Sequence, residues 1–325
     1  MRCAKLYMVV TIFAFCLSVG CIRKAAHCSN DVVLQLNWTD DPSFTGEYVA
    51  KERFWPKSKL NVTVKLGGVG IDPIAMIVSK NADFAIVGAD KALIAISNGA
   101  PIQIISVDLQ RNPVGWIARQ ELKVLTFDDI AARPDLILGD KAGTETSAIL
   151  QLVLKRRNLT IKPKGVSFDF SYFISNKNVV YPVYLNEEPV RARLENKIPV
   201  VEIDPSLDAN GGIKLYGNVI IAHRDTVANC SDIVKELVDG VKAGWEYAQA
   251  NRDDTLFIVG KYVKLEPEYI KETVDRTVNF ATNMYGRIVP AGHMEYAAWE
   301  NSLQVLKEAG LITKDIDLNQ VLYLK

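Results

Sequence analysis

Between residues 31 and 107 the chain repeats one pattern: a short apolar strand, a glycine- or proline-marked break, then a helix. Residues 32–36 alternate as a strand. At 61–66, Val62, Val64 and Leu66 share one face, and Thr63 and Lys65 share the other. Gly67-Gly68-Val69-Gly70 is a turn, 72–80 reads as a helix, and 83–87 is a short buried strand. Gly88 breaks the chain before a helix at 89–98, which Gly99-Ala100-Pro101 ends before a strand at 102–107. Strands joined by crossover helices lie parallel. The pattern therefore predicts an α/β fold with parallel strands.

A second α/β unit begins near Pro113. Residues 136–139 form a short strand, and Asp140-Lys141-Ala142-Gly143 a loop. Thr144 is positioned to cap a helix over 144–158. Ala148, Ile149, Leu152 and Val153 make its apolar stripe, and Lys155, Arg156 and Arg157 complement its negative end. A strand at 179–185 runs into Asn186-Glu187-Glu188-Pro189, and another spans 214–222. The rest is mostly helical, over 231–251, 253–263 and 266–285. A helical tail after a second α/β unit brings the chain back to the first. Two crossings, near 112–115 and 217–223, join two lobes. The expected division is 31–113 plus 222–325 for the first lobe and 114–221 for the second. A length of 325 residues suits two such bodies, and the cleft between them is a favoured small-molecule site.

The N-terminus stands apart from this body. Arg2 and Lys5 precede an apolar run at 6–19 that is shorter than the roughly 20 residues of a membrane span. It reads as a signal peptide over 1–20. Ser18-Val19-Gly20-Cys21 resembles a bacterial lipobox with Cys21 as the lipidated residue, although Leu17 stands one position early. Plain secretion and a retained N-terminal anchor are the alternatives. Residues 21–30 form a polar tether.

The chain carries 38 basic and 38 acidic residues, and loss of Arg2 and Lys5 leaves a net charge of −2. That balance excludes a broad nucleic-acid surface. Cys28 and Cys230 could form one disulfide, but no disulfide framework exists. The 3 histidines have no metal-ligand spacing, and no nucleotide-binding loop or nucleophile elbow occurs. Neither a metal nor a cofactor is expected, and a monomer is.

Four stretches at strand ends could face one cleft, which is where open α/β sheets bind ligands. The first holds Trp38, Asp40 and Phe44: an indole to stack on and a carboxylate to accept N–H groups. The alternative for Trp38 is a place in the core. The second is Gly88-Ala89 with Asp90, where a helix start offers free backbone N–H groups, unless Asp90 merely caps it. The third is Thr144 and Glu145 at another helix start, where the alternative is an ordinary capped helix; Glu145 would repel an anionic ligand. The fourth is Tyr184, Asn186 and Glu188, which share a direction if the strand alternation persists. Asn186 would pair with an aminopyrimidine edge as Asn pairs with adenine, and Glu188 would accept from an exocyclic amine. The alternative is a solvated loop. No nucleophile with an adjacent base emerges.

In order, the segments Leu36-Asn37-Trp38, Tyr48-Val49-Ala50-Lys51, Asn81-Ala82-Asp83-Phe84-Ala85-Ile86 and Gly99-Ala100-Pro101-Ile102 resemble those of the SsuA/THI5-like substrate-binding proteins of ABC importers. Gly143-Thr144-Glu145-Thr146, Tyr184-Leu185-Asn186-Glu187-Glu188 and Tyr216-Gly217-Asn218-Val219 continue the resemblance over nearly all of the mature chain. It implies a two-lobed periplasmic-binding fold of the second type, a permease and ATPase as partners, and a place in the periplasm or on the cell surface. Within the family, the chain looks most like binders of thiamin pyrimidine precursors such as formylaminopyrimidine or hydroxymethylpyrimidine. By that resemblance Trp38 stacks on the ring, Tyr184 is a second wall, and Asn186 and Glu188 read its polar edge. Riboflavin, or a sulfonate- or nitrate-type anion, is the alternative ligand. A pyrimidine synthase of the same fold is the alternative of another class. That enzyme needs a histidine in the helix at 88–98, where Lys91 stands here, and a cysteine-rich motif that this chain lacks.

Overall fold

The structure, a computed structural model, describes residues 28–142, 144–208 and 212–324. The leader, Cys21 and Gly143 lie outside the described residues. The first lobe opens with β1 (Asp31–Gln35), a single 3₁₀ turn at Pro42–Phe44, and α1 (Thr45–Arg53). Then come β2 (Asn61–Lys65), α2 (Pro73–Val78), β3 (Phe84–Gly88), α3 (Ala89–Ser97) and β4 (Ile102–Val107). Asp72 starts α2 by accepting from the N–H groups of Ile74 and Ala75.

The chain crosses at 108–113 into the second lobe. There lie β5 (Val114–Arg119), α4 (Phe127–Ala131), β6 (Ile137–Asp140), α5 (Glu145–Arg156), β7 (Lys164–Gly165), α6 (Ser171–Ser175), β8 (Val179–Tyr184), α7 (Glu188–Leu194) and β9 (Val200–Ile203). It returns through β10 (Asn218–His223) into α8 (Arg224–Asn229), α9 (Ser231–Ala250), α10 (Arg252–Tyr262) and α11 (Pro267–Thr282). A short ribbon of β11 (Asn283–Met284) and β12 (Arg287–Ile288) follows, then α12 (Tyr296–Glu308) and α13 (Leu318–Val321). No helix among the described residues is long and apolar enough to cross a membrane.

Each lobe has one five-stranded sheet, ordered β2-β1-β3-β10-β4 in the first and β7-β6-β8-β5-β9 in the second. The sheets are mixed, which corrects the expectation of parallel strands. β10 runs antiparallel to both β3 and β4, and β5 runs antiparallel to both β8 and β9. The crossings explain this. β4 ends at the crossing and β5 starts from it, so β5 leaves the cleft as β6 and β8 approach it. β10 enters the first lobe in the same way. The predicted division at 221/222 passes through β10, yet all of its pairing is in the first sheet. Gly217, read as part of the strand, instead holds the crossing: its N–H donates to Leu109 O at 2.9 Å.

Alternation along β3 and β10 fills two layers. Phe84, Ile86, Ile220 and Ala222 join Val49, Val241 and Trp245 on the α1–α9 side. Ala85, Val87, Val219 and Ile221 join Leu93 and Trp299 on the α3–α12 side. A third cluster, with Trp116, Phe127, Ile149 and Val153, supports the second lobe. Burial of each large apolar side chain contributes about 1.5–3 kcal/mol before conformational entropy is subtracted. Cys28, read as part of a tether, is disulfide-bonded to Cys230 at the start of α9.

Candidate functional site

The carboxyl ends of β1, β3, β6 and β8 and the amino ends of β5 and β10 converge where the two crossings run side by side. The crossings are bonded to each other: Asn112 N–H donates to Leu215 O at 2.9 Å. Leu185 N–H donates to Pro113 O at 2.7 Å, which ties the end of β8 to the first crossing. Side chains from both lobes therefore meet on a fixed floor.

At the end of β1, Trp38 keeps 50% of its surface exposed, so it is not a core residue. Asp40 is exposed and accepts from the Tyr48 hydroxyl at 3.3 Å. Phe44 corrects the sequence reading. The 3₁₀ turn over Pro42–Phe44 directs it inward, where it is 1% exposed and meets Tyr48 edge-on. It cannot touch a ligand in the cleft.

Gly88 and Ala89 join β3 to α3, and Asp90 lies in the first helical turn. Asp90 is 7% exposed, and its Oδ1 has no hydrogen-bond partner. At the start of α5, Glu145 is 8% exposed. Asn112 Nδ2 donates to its Oε1, and the Tyr184 hydroxyl lies 3.5 Å from its Oε2. Thr144 does not cap through its side chain. Its hydroxyl donates to Lys141 O and meets the Thr146 hydroxyl at 2.7 Å.

The fourth stretch splits. Tyr184 keeps 39% of its surface exposed with its hydroxyl toward Glu145. Asn186 is 2% exposed, and its amide donates to Ser43 Oγ at 2.8 Å and Thr277 Oγ1 at 3.2 Å. It bridges the lobes rather than facing the cleft. Glu188 accepts from the Tyr184 N–H at 2.8 Å and heads α7. Both depart from the shared direction expected of a strand, because β8 stops at Tyr184 and Pro189 starts a helix. Asn112 was missed; it carries no local signal, since its partner Glu145 lies 33 positions away.

The electrostatics follow from burial. Loss of solvent, then the neighbouring Asp90 charge, pushes Glu145 up to about 8, although Asn112 pulls it down. Burial also raises Asp90, opposed first by the Lys91 backbone N–H and then by the Lys91 charge. The Tyr184 hydroxyl rises through burial, then through Glu145 and Asp90. Burial raises Glu188, and Lys141 opposes it.

A raised carboxyl binds more protons in the folded chain than in the unfolded one. Its contribution to stability is therefore complete below the ordinary Glu value of 4.5 and is lost as pH rises through about 8. We expect the ligand-free protein to lose stability across that window. Glu145→Gln should flatten the slope when urea midpoints are compared at pH 5 and pH 8.5. An unchanged slope would remove Glu145 from the titrating set.

A hollow of about 770 Å³ opens between the second lobe and α11. Arg157 is paired there with Asp128 and Asp208, Arg276 with Glu202 and Arg111 with Asp204 at 3.8 Å, while Arg111 Nε has no hydrogen-bond partner. The carboxyl end of β9, Asp204 after it and the start of α4 line this hollow. The candidate residues named from sequence lie elsewhere, at the carboxyl ends of β1, β3, β6 and β8.

Two mixed sheets joined by two crossings with a polar cluster between them define the periplasmic binding protein fold. The chain belongs to the NMT1/THI5-like family, whose model matches residues 41–255. Among solved structures, the alkanesulfonate-binding protein SsuA of Xanthomonas axonopodis pv. citri, bound to MOPS, is 12% identical with a TM-score of 0.63. That match covers 90% of this chain and 98% of the other. The Escherichia coli aliphatic sulphonate binding protein SsuA is 13% identical with a TM-score of 0.58, covering 90% and 92%. The riboflavin-binding protein RibY of Chloroflexus aurantiacus is 21% identical over 249 residues, 73% of this chain and 68% of that protein.

Proposed function

We propose that the protein is the solute receptor of an ABC importer and that it captures a flat nitrogen heterocycle, best matched by a thiamin pyrimidine precursor. One reading carries the ligand class: Trp38, exposed just after β1, would stack on a ring whose polar edge meets buried Glu145, which Asn112 and Tyr184 hold. An indole stacks on a flat ring of any kind. Carboxyls accept amino groups and repel oxyanions, so a sulfonate or nitrate suits this floor poorly. The resemblance to solute-binding proteins supports a receptor, and no nucleophile–base pair supports a synthase. Closure would follow from the ligand's higher affinity for the closed state. The Cys28–Cys230 disulfide suits an oxidising compartment outside the cytoplasm. Attachment through Cys21 would keep the receptor beside its permease and ATPase.

Mass spectrometry of ligand released from purified protein tests this reading, together with a thermal-shift screen. Formylaminopyrimidine or hydroxymethylpyrimidine should stabilise the protein. Stabilisation by taurine or nitrate alone would overturn the proposal. Riboflavin is the second reading, favoured by the RibY relative, and stabilisation by riboflavin alone would select it. We expect Trp38→Ala to weaken binding by about 1–3 kcal/mol in titration calorimetry, the range for bases stacked on aromatic rings. Unchanged affinity would mean that the indole does not stack.

A further inference from the structure

The two carboxyls on the cleft floor share one gap. A Cβ built on Gly88 would stand 2.6 Å from Asp90 Oδ1 and 3.6 Å from Glu145 Oε2. Glycine at this position lets Asp90 Oδ1 pack against the backbone, on the side that Glu145 Oε2 also faces. Asp90 Oδ1 is buried without a donor. Glu145 is held on one oxygen by Asn112, and Tyr184 reaches the other only at 3.5 Å. Lys91 on α3 eases both charges through space but is itself exposed. Lys141, ahead of α5, faces Glu187 and Glu188 instead. An acceptor buried without a donor is costly, and a second carboxyl beside it adds repulsion. A ligand edge carrying two adjacent N–H groups removes both costs at once.

We propose that Asp90 and Glu145 together anchor an amidine-like edge of the ligand, an amino group beside a protonated ring or amidine nitrogen. This rests on the heterocycle reading and narrows it to rings whose amino edge can carry positive charge. It also gives Asp90 a binding role in place of the capping role open from sequence. Burial keeps a proton on the pair in the empty cleft. A neutral aminopyrimidine takes that proton onto its ring nitrogen and nothing is released. A ligand that arrives as a cation displaces the proton to solvent. The groups that face the pair and shape this exchange are Lys91 on α3, Asn112 in the first crossing and Tyr184 on β8. Glu188 on α7 acts on Tyr184 from behind.

The test is titration calorimetry with 4-amino-5-hydroxymethyl-2-methylpyrimidine and its 4-oxo counterpart. Wild type, Asp90→Asn and Glu145→Gln are compared after thermal melts establish that each is folded. Wild type should prefer the amino probe at least tenfold. Each variant should weaken that probe at least tenfold and erase most of the preference. Unchanged affinity and an unchanged amino-to-oxo ratio in both variants would overturn the anchor. If neither pyrimidine binds wild type, the heterocycle reading fails, and the anchor is tested separately with benzamidine by thermal shift. Stabilisation of wild type that Asp90→Asn abolishes supports the anchor. No stabilisation, or equal stabilisation of the variant, overturns it.

Discussion

Gly244→Ala should destabilise the protein by about 2–4 kcal/mol, although the same change in an exposed helix stabilises by up to about 1 kcal/mol. The reversal comes from the crossing of α1 and α9. A Cβ on Gly244 would stand 2.1 Å from Gly46 O and 3.0 Å from Gly46 C. Both obstacles are backbone, so no side-chain rotation relieves them, and α1 must move away. Gly46 has no room to yield: a Cβ there would meet the Trp245 ring at 2.3 Å. That ring is fixed in turn, because its Nε1 donates to Asp108 Oδ1 at 2.6 Å. Overpacking of this kind costs about 1–3 kcal/mol and sometimes more. Gly260→Ala in α10 is the control, since a Cβ there meets nothing within 4 Å. Urea midpoints of the two variants should shift in opposite directions. The change should also reach the cleft, because α1 follows directly on the segment that carries Trp38. A Gly244→Ala protein as stable as wild type would mean that the helices separate without cost.

The strands that alternate or stay wholly apolar were legible from sequence: β1, β2, β3, β4, β6 and β8 all stand where periodicity predicts them. β5 and β9 were not. β5 is buried along nearly its whole length, so it has no alternation to read, and β9 has four residues. Their partners lie 60 or more positions away for β8 and 80 or more for β9, counted from β5. The antiparallel strands were illegible for a similar reason. Direction in a sheet depends on which side of the crossing a strand starts from, and no local residue records that.

The site was legible where one residue type at a strand end sufficed, as with Trp38 and Glu145. It failed where the argument depended on continuing a backbone pattern. Tyr184, Asn186 and Glu188 keep a common direction only in an extended chain, and that chain ends with β8 at Tyr184, four residues before α7 starts at Glu188. Phe44 failed through the 3₁₀ turn that precedes α1, whose sense decides whether an aromatic enters the cleft or the core. Asp90 was ambiguous between cap and ligand. The capping position belongs to Gly88, and Asp90 Oδ1 is left without a partner.

Replacing Cys28 and Cys230 together by serine should cost about 2–5 kcal/mol of stability and leave ligand affinity unchanged. The bond closes a loop of sequence separation 202, so its loss frees the first lobe's residues up to Cys230 and all of the second lobe in the unfolded chain. Loop-closure entropy for so long a loop approaches about 5 kcal/mol, and native chains recover part of that. The folded state loses little in compensation, because among the described residues only 28–30 precede β1, and they add one backbone bond to the sheet, Asn61 N–H to Asn30 O at 2.8 Å. The cleft is insulated by topology. Cys28 lies before the amino end of β1, and Cys230 follows α8 beyond the carboxyl end of β10. Both of those ends point away from Trp38, Gly88 and Asn218. Urea titrations with and without reductant, set beside the double variant, should give two matching losses. Equal stability of oxidised and reduced protein would mean that the unfolded chain is held compact without the bond. A loss of affinity with stability intact would mean that the clip sets the position of β1, and with it the indole on which the ligand stacks.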